Sequence, residues 1–410
     1  MNIRESTYRN RGNERTYVIS FLLLIVLTRF FEFHYIPYRP LFYVNIFCLL
    51  YFFFQSKQDD YKNKLWIGVI WLMVLGSILY SHFVLGQPLT EVAEVSYFAM
   101  GLASFCVFNS LRLSYKDSIK LVKTFSILFC VCYLVQKAIY PTVLFSGAKD
   151  DVSISDDYFR MRMACSACSY CLFFYGLNDY MINRKSTSLL YSLLGLMPFM
   201  IMGFRSLVSL SLLFAVYIFV WHYWKSKSKS QFIIYSFFLL LFVYFIIQMP
   251  VVKEKYEEMM DRQNSEQTFD NEDYVRYVSL AYYTDVTTKT EMVIGGGVPL
   301  IPKSLTSRNH YVSKFCKGYQ MNLYWNDLGL IGFGFIFGFP SVILISFLVF
   351  RTSIRCKEQQ LLFIRATLLT IYLGSIFTSQ ELYRVGNFLF IGLLMYTEYI
   401  YHKECTLVSR

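Results

Sequence analysis

The chain reads as an all-α polytopic membrane protein, and three observations predict it: its composition, the length of its apolar runs and the spacing of its basic residues. Of 410 residues, 55% are hydrophobic and 16% charged, whereas charged residues approach about a quarter of an average soluble domain. The apolar excess is gathered in runs long enough to cross a bilayer, which takes about 20 residues per helix. Lys and Arg fall in alternate connectors between those runs, the pattern that the positive-inside preference produces.

Taken in order, the runs predict spans near residues 17–33, 40–55, 65–86, 92–110, 119–138, 163–182, 188–203, 206–224, 231–249, 322–350, 360–379 and 386–401, about twelve in all. Arg4, Arg9, Arg11 and Arg15 ahead of the first run imitate a secretory signal. The run continues into Arg29-Phe30-Phe31-Glu32 without a small-residue cleavage site, so it is expected to stay as the first spanning helix.

The connectors test the same count. Lys57, Lys62 and Lys64 follow the second run, Arg112, Lys116 and Lys120 the fourth, and Arg184 and Lys185 the sixth. Lys225, Lys227 and Lys229 follow the eighth, and Arg351, Arg355 and Lys357 the tenth. With the basic N-terminus and Lys403 they fall on one side, which predicts that both termini are cytoplasmic. Residues 138–162, Arg205, the stretch Pro250 to Met321, and Glu381 with Arg384 then lie on the opposite face.

Pro250 to Met321 is the one long polar interval. The chain therefore divides into a bundle of about nine helices over 1–249, an external loop over 250–321, and a bundle of about three helices with a tail over 322–410. Long loops translocate largely regardless of charge, so the loop's own Lys and Arg do not oppose this. Within it, Val252 to Gln263 sets Tyr256, Met259 and Met260 against charges on the other side, which predicts an interfacial helix.

A net charge of +11 invites nucleic acid, but that function needs basic residues on one exposed face, and here they sit in small groups between apolar runs. No nucleic-acid partner is expected. The cysteines lie mostly in or beside apolar runs, where Cys behaves as a small hydrophobe. Cys165, Cys168 and Cys171 match part of an iron-sulfur spacing but lack a fourth ligand, so packing of small residues in a helix accounts for them better. No metal-ligand spacing stands out, and neither metal nor cofactor is expected.

Arg205, in Gly203-Phe204-Arg205-Ser206, lies between two apolar runs too tightly joined to leave a loop. An arginine at that depth is costly without a partner or a wet cavity. Two readings stand: an ion pair or snorkelling at the interface, and a phosphate binder, whose donor fork matches phosphate oxygens bidentately. Arg276, among Tyr274, Val275, Tyr277, Val278 and Leu280, suggests a loop helix packed back on the bundle; a solvated or structurally paired Arg276 fits the sequence nearly as well. Gly295-Gly296-Gly297 with Pro299 predicts a tight turn or a close approach of backbone to a ligand. It lacks the Lys-Ser or Lys-Thr of a nucleotide phosphate loop.

His310, in Arg308-Asn309-His310, is the loop's one histidine and a candidate general base towards a sugar hydroxyl, although isolated loop histidines are more often bystanders. Arg160 and Arg162 close the connector after the fifth run, and Glu381 and Arg384 occupy the last external connector. Either group fits a cavity lining or an interfacial anchor.

These residues carry a resemblance. The chain is similar in layout to the O-antigen polymerase and O-antigen ligase superfamily of bacterial membrane glycosyltransferases. Gly203-Phe204-Arg205-Ser206 resembles the family's small-x-Arg-Ser junction, and Arg276-Tyr277-Val278-Ser279-Leu280 its loop Arg-x3-Leu. Gly295 to Val298 and Asn322-Leu323-Tyr324-Trp325-Asn326-Asp327-Leu328-Gly329-Leu330-Ile331-Gly332 resemble its glycine turn and its loop-exit segment.

The resemblance implies an undecaprenyl-diphosphate-linked glycan as substrate, transferred on the periplasmic face to an acceptor hydroxyl without a metal. It implies that Arg205 and Arg276 hold the diphosphate and neutralise the leaving group, and it leaves His310 out of place for the family's base; His310 as a candidate base, and Arg160, Arg162, Gly296, Arg308, Asn322, Asp327, Glu381 and Arg384 as candidate substrate contacts, are readings of the chain itself. Partners implied are membrane lipid, a flippase and a chain-length regulator. Ligases of the family often have His-Asn where this chain has Met321-Asn322, which tilts the expectation towards a polymerase. A flippase or transporter is the alternative from another class; it more typically shows related halves, and none are evident.

Overall fold

A computed structural model describes residues 14–56, 61–145, 163–202, 205–225, 275–299, 317–318, 321, 323–376 and 384–408. Among these residues the structure is helical throughout, with no strand beyond an isolated bridge between Phe33 and Phe145. The helices are α1 (Glu14–Leu27), α2 (Tyr38–Gln55), α3 (Tyr61–Phe83), α4 (Leu89–Ser96), α5 (Ser104–Leu111), α6 (Tyr115–Ala138), α7 (Ala167–Asn183) and α8 (Ser186–Met202). They continue as α9 (Arg205–Lys225), α10 (Val275–Val286), α11 (Lys289–Ile294), α12 (Gly329–Phe337), α13 (Phe339–Arg355), α14 (Leu362–Gly374) and α15 (Val385–Val408).

The faces of α3 show what solvent the bundle is built for. Ile67, Ile70, Val74, Ser77 and Ser81 recur at helical spacing and are buried, while Leu72, Leu75, Leu79 and Phe83 form an exposed stripe on another face. A helix in water does not leave such a stripe bare; one in lipid does. Four helices, Lys62–Phe83, Leu89–Leu111, Tyr115–Ala138 and Leu207–Trp224, are long and apolar enough to cross a membrane, with Arg39–Gln55, Ser186–Met202 and Trp325–Phe337 as shorter apolar companions. They mark the chain as a membrane protein.

Helices in lipid gain little from apolar burial, so close approach through small residues holds them together. In the hairpin of α7 and α8, a Cβ on Gly176 would lie 2.4 Å from the Ser192 amide nitrogen, and one on Gly195 2.4 Å from that of Phe173. The Ser192 hydroxyl adds a bond to the Phe173 carbonyl at 3.1 Å. Cys168 and Cys171 are buried in α7 and Cys165 in the turn before it, with Cys165 Sγ 3.2 Å from Cys168 Sγ. The cysteines thus occupy a packed helix start.

Three expected spans are not continuous α-helix. The first stops at Leu27, and Arg29 to Glu32 form a left-handed turn with φ of 53°, 48°, 59° and 65°, a conformation that costs about 1–2 kcal/mol per non-glycine residue. The fourth passes from α4 through a 3-10 stretch, Tyr97–Ala103, into α5. There the Ser104 hydroxyl reaches the Leu389 carbonyl of α15 at 2.6 Å, and a Cβ on Gly392 would meet that hydroxyl at 2.1 Å.

The span expected at 322–350 is divided at Gly338, φ 85°, into α12 and α13. Pro340 has no N–H to offer the Ile336 carbonyl four residues back. That carbonyl instead accepts from the Ser77 hydroxyl at 2.7 Å and the Gly297 amide at 3.3 Å, while the Gly296 amide donates to Phe335 at 2.8 Å. Broken backbone is tolerated at membrane depth only where its polar groups are satisfied in this way.

The run expected at 231–249 and the interfacial helix expected over Val252 to Gln263 lie outside the described residues. In the remainder of the loop, Thr288 and Glu291 form a capping box at the start of α11. The chain then enters the bundle as a buried segment over 295–299.

Candidate functional site

Side-chain contacts sort the helix ends into two groups. One group lies beside the basic connectors. There Asn109 donates to the Ser56 hydroxyl at 3.0 Å, the Tyr115 amide to Glu404 at 3.0 Å, and the Tyr396 hydroxyl to the Leu113 carbonyl at 2.5 Å. Arg355 Nε lies 2.7 Å from the buried Glu398 carboxylate, and Asn178 links the Gln359 carbonyl to His222 Nε2 at 2.9 and 2.7 Å. Just outside α13 at this end, burial pushes the Cys356 thiol well above its ordinary pKa; the Glu398 charge adds to the rise, while Arg365 and Arg355 oppose it.

The opposite group holds the described candidate residues. Arg205 is the first residue of α9. Two residues on, Leu207 packs so close to Gly374 at the end of α14 that a Cβ there would lie 2.3 Å from it. The carbonyl of the next residue, Ser375, accepts from the Leu330 amide at 2.7 Å, which fixes the start of α12. A 3-10 hook, Trp325–Leu328, precedes α12 and carries Asp327 half-buried, its amide donating to the Tyr324 carbonyl at 3.1 Å.

The hook leads to α10. The Tyr283 hydroxyl donates to the Leu323 carbonyl at 3.0 Å, and its ring stacks on Phe335 at 5.8 Å. Arg276 lies seven residues before Tyr283, two turns along the same helix face, and is half-buried. The segment around Arg276 is thus a helix packed on the bundle.

At the start of α15 the half-buried Arg384 accepts through its carbonyl from the amides of Asn387 at 3.0 Å and Phe388 at 3.3 Å. Asn387, fully buried, accepts from the Ala167 amide at 2.9 Å and donates to the Ser166 hydroxyl at 2.9 Å. It ties α15 to the first turn of α7 and was not a candidate in the sequence, where it is one more residue ahead of an apolar run.

Gly296, expected in a tight turn or a close approach of backbone to a ligand, lies in a buried segment against α12. Its amide is engaged by Phe335, and a Cβ on neighbouring Gly295 would lie 2.3 Å from the Ile336 carbonyl. Gly295 thus makes its close approach to the backbone of α12, and Gly297 makes its own to α3, where a Cβ would lie 2.8 Å from the Ser81 hydroxyl. Arg160, Arg162, Arg308, His310, Asn322 and Glu381 lie outside the described residues, as does the side chain of Arg205.

Sequence reasoning passed over Arg29 and Glu32 as well. Arg29 is buried and its guanidinium pairs with the Glu32 carboxylate; the available signal was an Arg and a Glu three apart at the end of an apolar run. Among the described residues no group of three or more His, Cys, Asp or Glu is placed to hold a metal ion. No family model matches the chain, and no curated protein matches it.

Proposed function

We propose that this protein polymerises undecaprenyl-diphosphate-linked oligosaccharide repeat units into O-antigen or capsular polysaccharide, as a multi-pass glycosyltransferase of the bacterial inner membrane. In this reading about twelve spans place both termini in the cytoplasm, and the end bearing Arg205, Asp327, Arg276 and Arg384 faces the periplasm. The observation that supports it is the unbroken series of contacts from the start of α9, through α14 and the Asp327 hook, to α10. It gathers the elements that carry both arginines at one end of the bundle, away from the basic connectors.

The chemistry needs an anion held as it departs. An acceptor sugar hydroxyl attacks the anomeric carbon of the growing chain; the new C–O bond forms as the bond to the diphosphate breaks, and the hydroxyl proton leaves to a base, for which His310 is the candidate. Two guanidiniums supply charge where it develops, the largest contribution when the leaving group is an anion. Arg160, Arg162, Arg308, Asn322, Glu381 and Arg384 are the proposed contacts to glycan and carrier. A flippase delivering lipid-linked units and a chain-length regulator are the proposed partners.

A transporter is the second reading, favoured by the break between α12 and α13, since discontinuous helices build midplane sites in transporters. Deleting the gene and separating lipid-linked glycans and surface polysaccharide on a gel decides between them. Single-repeat surface products indicate a polymerase, and long polymer left on the carrier indicates a ligase. Lipid-linked units accumulating without any external product indicate a flippase. Unchanged polysaccharide contradicts all three.

A further inference from the structure

Arg365 stands in the first turn of α14, a charge inside an otherwise apolar helix. Its guanidinium lies over two rings of α9, with Cζ 5.4 Å from the Tyr217 centroid and 5.7 Å from that of Trp221, close enough for both ring faces to attract the cation. Among the described residues no carboxylate pairs with it. Its Nε is enclosed without an acceptor, whereas the two Nη atoms are not enclosed and the residue is half-buried. The Tyr217 hydroxyl beside it is likewise enclosed without a hydrogen bond.

The buried carboxylate at this end, Glu398, is already engaged: it lies 2.7 Å from Arg355 and 3.4 Å from His402. Aromatic faces attract a cation but supply no counter-charge, and an arginine inside a membrane bundle is costly until something does. The platform beneath it is fixed. Asn178 ties His222 of α9 to the Gln359 carbonyl just ahead of α14, so the two helices meet at a set distance here.

The setting selects the anion. On α9, Leu213, Val216, Val220 and Trp224 recur at helical spacing and are all exposed, an apolar stripe along the membrane-spanning length Leu207–Trp224. Tyr217 and Trp221 each stand one residue beyond a member of that stripe, so the guanidinium borders it. Trp224 ends the stripe at the level where tryptophan favours the bilayer interface. An occupant of this place meets a cation at headgroup depth and an apolar face running down into the hydrocarbon.

We propose that Arg365 and the α9 stripe form a binding site for an anionic phospholipid in the leaflet beside the basic connectors, the phosphate on the Arg365 Nη atoms and an acyl chain along Val220, Val216 and Leu213. The planar fork suits phosphate oxygens, and stacking on the rings leaves its donor edge open. Basic sites between helices on the cytoplasmic side hold lipid headgroups in this way. The site lies at the opposite end from the proposed glycan chemistry and does not depend on it.

The test is thermal unfolding of the purified full chain in detergent with phosphatidylglycerol, phosphatidylcholine or inorganic phosphate added, because a ligand that binds the folded state raises Tm. Phosphatidylglycerol is expected to raise Tm to saturation, and the other two to raise it little at the same concentration. Arg365→Gln weakens the apparent phosphatidylglycerol affinity by about tenfold or more. Lys357→Gln, which removes an exposed cation at the same end, leaves it unchanged. Should Arg365→Gln fail to fold, Arg365→Lys keeps the charge without the fork and is expected to weaken affinity by a smaller factor; wild-type affinity in that variant would overturn the site.

An arginine held only by its rings predicts instead that Arg365→Gln lowers the starting Tm and leaves phosphatidylglycerol affinity as in the wild type, which overturns the proposal. Equal losses from Arg365→Gln and Lys357→Gln reveal diffuse attraction to acidic lipid and overturn it as well. Phosphatidylcholine protecting as well as phosphatidylglycerol removes the role of charge, and inorganic phosphate doing so replaces the lipid with a soluble anion; either result contradicts the lipid site.

Discussion

The Ser77 hydroxyl of α3 donates to the Ile336 carbonyl across 2.7 Å, closing the backbone that Pro340 leaves open between α12 and α13. Three sequence features converge on this point: a proline that cannot donate, a glycine at φ 85°, and the glycine run that brings two more amides from the loop.

Gly338→Ala is expected to destabilise the protein far more than Ser77→Ala. A Cβ at Gly338 would lie 2.2 Å from the Val293 carbonyl, with left-handed strain added, so a loss of about 3 kcal/mol or more is expected. Ser77→Ala leaves the Gly297 amide on the same carbonyl and costs about 1 kcal/mol. Thermal unfolding in detergent measures both, and equal effects would show that the break is not held as described.

Asn387→Ala is expected to lower stability by about 1–3 kcal/mol, because the Ala167 amide at the start of α7 would be left buried without its acceptor. Asn387→Asp keeps the acceptor and loses the donation to Ser166 but buries a carboxyl group, so its effect is smaller than that of Asn387→Ala only at a pH low enough to protonate it. The order of the two Tm values checks the assignment.

Cys356 and Cys405 are expected to differ in alkylation. Burial and the Glu398 charge hold the Cys356 thiol protonated well above its usual range, so it stays unreactive at neutral pH, and the reactive thiolate gains population only at a higher pH than for an ordinary thiol. Cys405 is exposed and is labelled. With a cytoplasmic C-terminus, and with the external-loop cysteine removed by Cys316→Ser, a membrane-permeant maleimide labels Cys405 in intact cells and an impermeant one does not. Labelling of the Cys316→Ser chain by the impermeant reagent would contradict the proposed orientation.

Hydropathy made most helices legible because a run such as Leu65 to Phe83 carries its apolar residues on every face, as lipid requires. It missed the breaks after Leu27, over Tyr97–Ala103 and at Gly338, because a window average does not register a change of backbone geometry inside an apolar run. Gly338 with Pro340 was readable in retrospect; the left-handed turn at Arg29 was not, since its residues favour ordinary backbone.

For the site, the apolar neighbours of Arg276 suggest a packed helix, with a solvated or structurally paired arginine fitting nearly as well; the segment is helix α10, whose Tyr283 reaches Leu323 and Phe335. The glycine run predicts a tight turn or a close approach of backbone to a ligand, and the Gly296 amide donates to the Phe335 carbonyl. Sequence shows that glycines permit close contact and is silent on what arrives. Asn387 escaped notice because its partners, Ser166 and Ala167, are over two hundred positions away.

In the proposed reaction Arg205 and Arg276 hold one diphosphate from two separate elements. The test is to complement a deletion strain with Arg205→Ala, Arg276→Ala and the two lysine variants and to read polysaccharide chain length beside protein level. The expected result is single-repeat product from both alanine variants at normal protein level, with Lys restoring little because it cannot replace the guanidinium fork. Long chains from either alanine variant would contradict it.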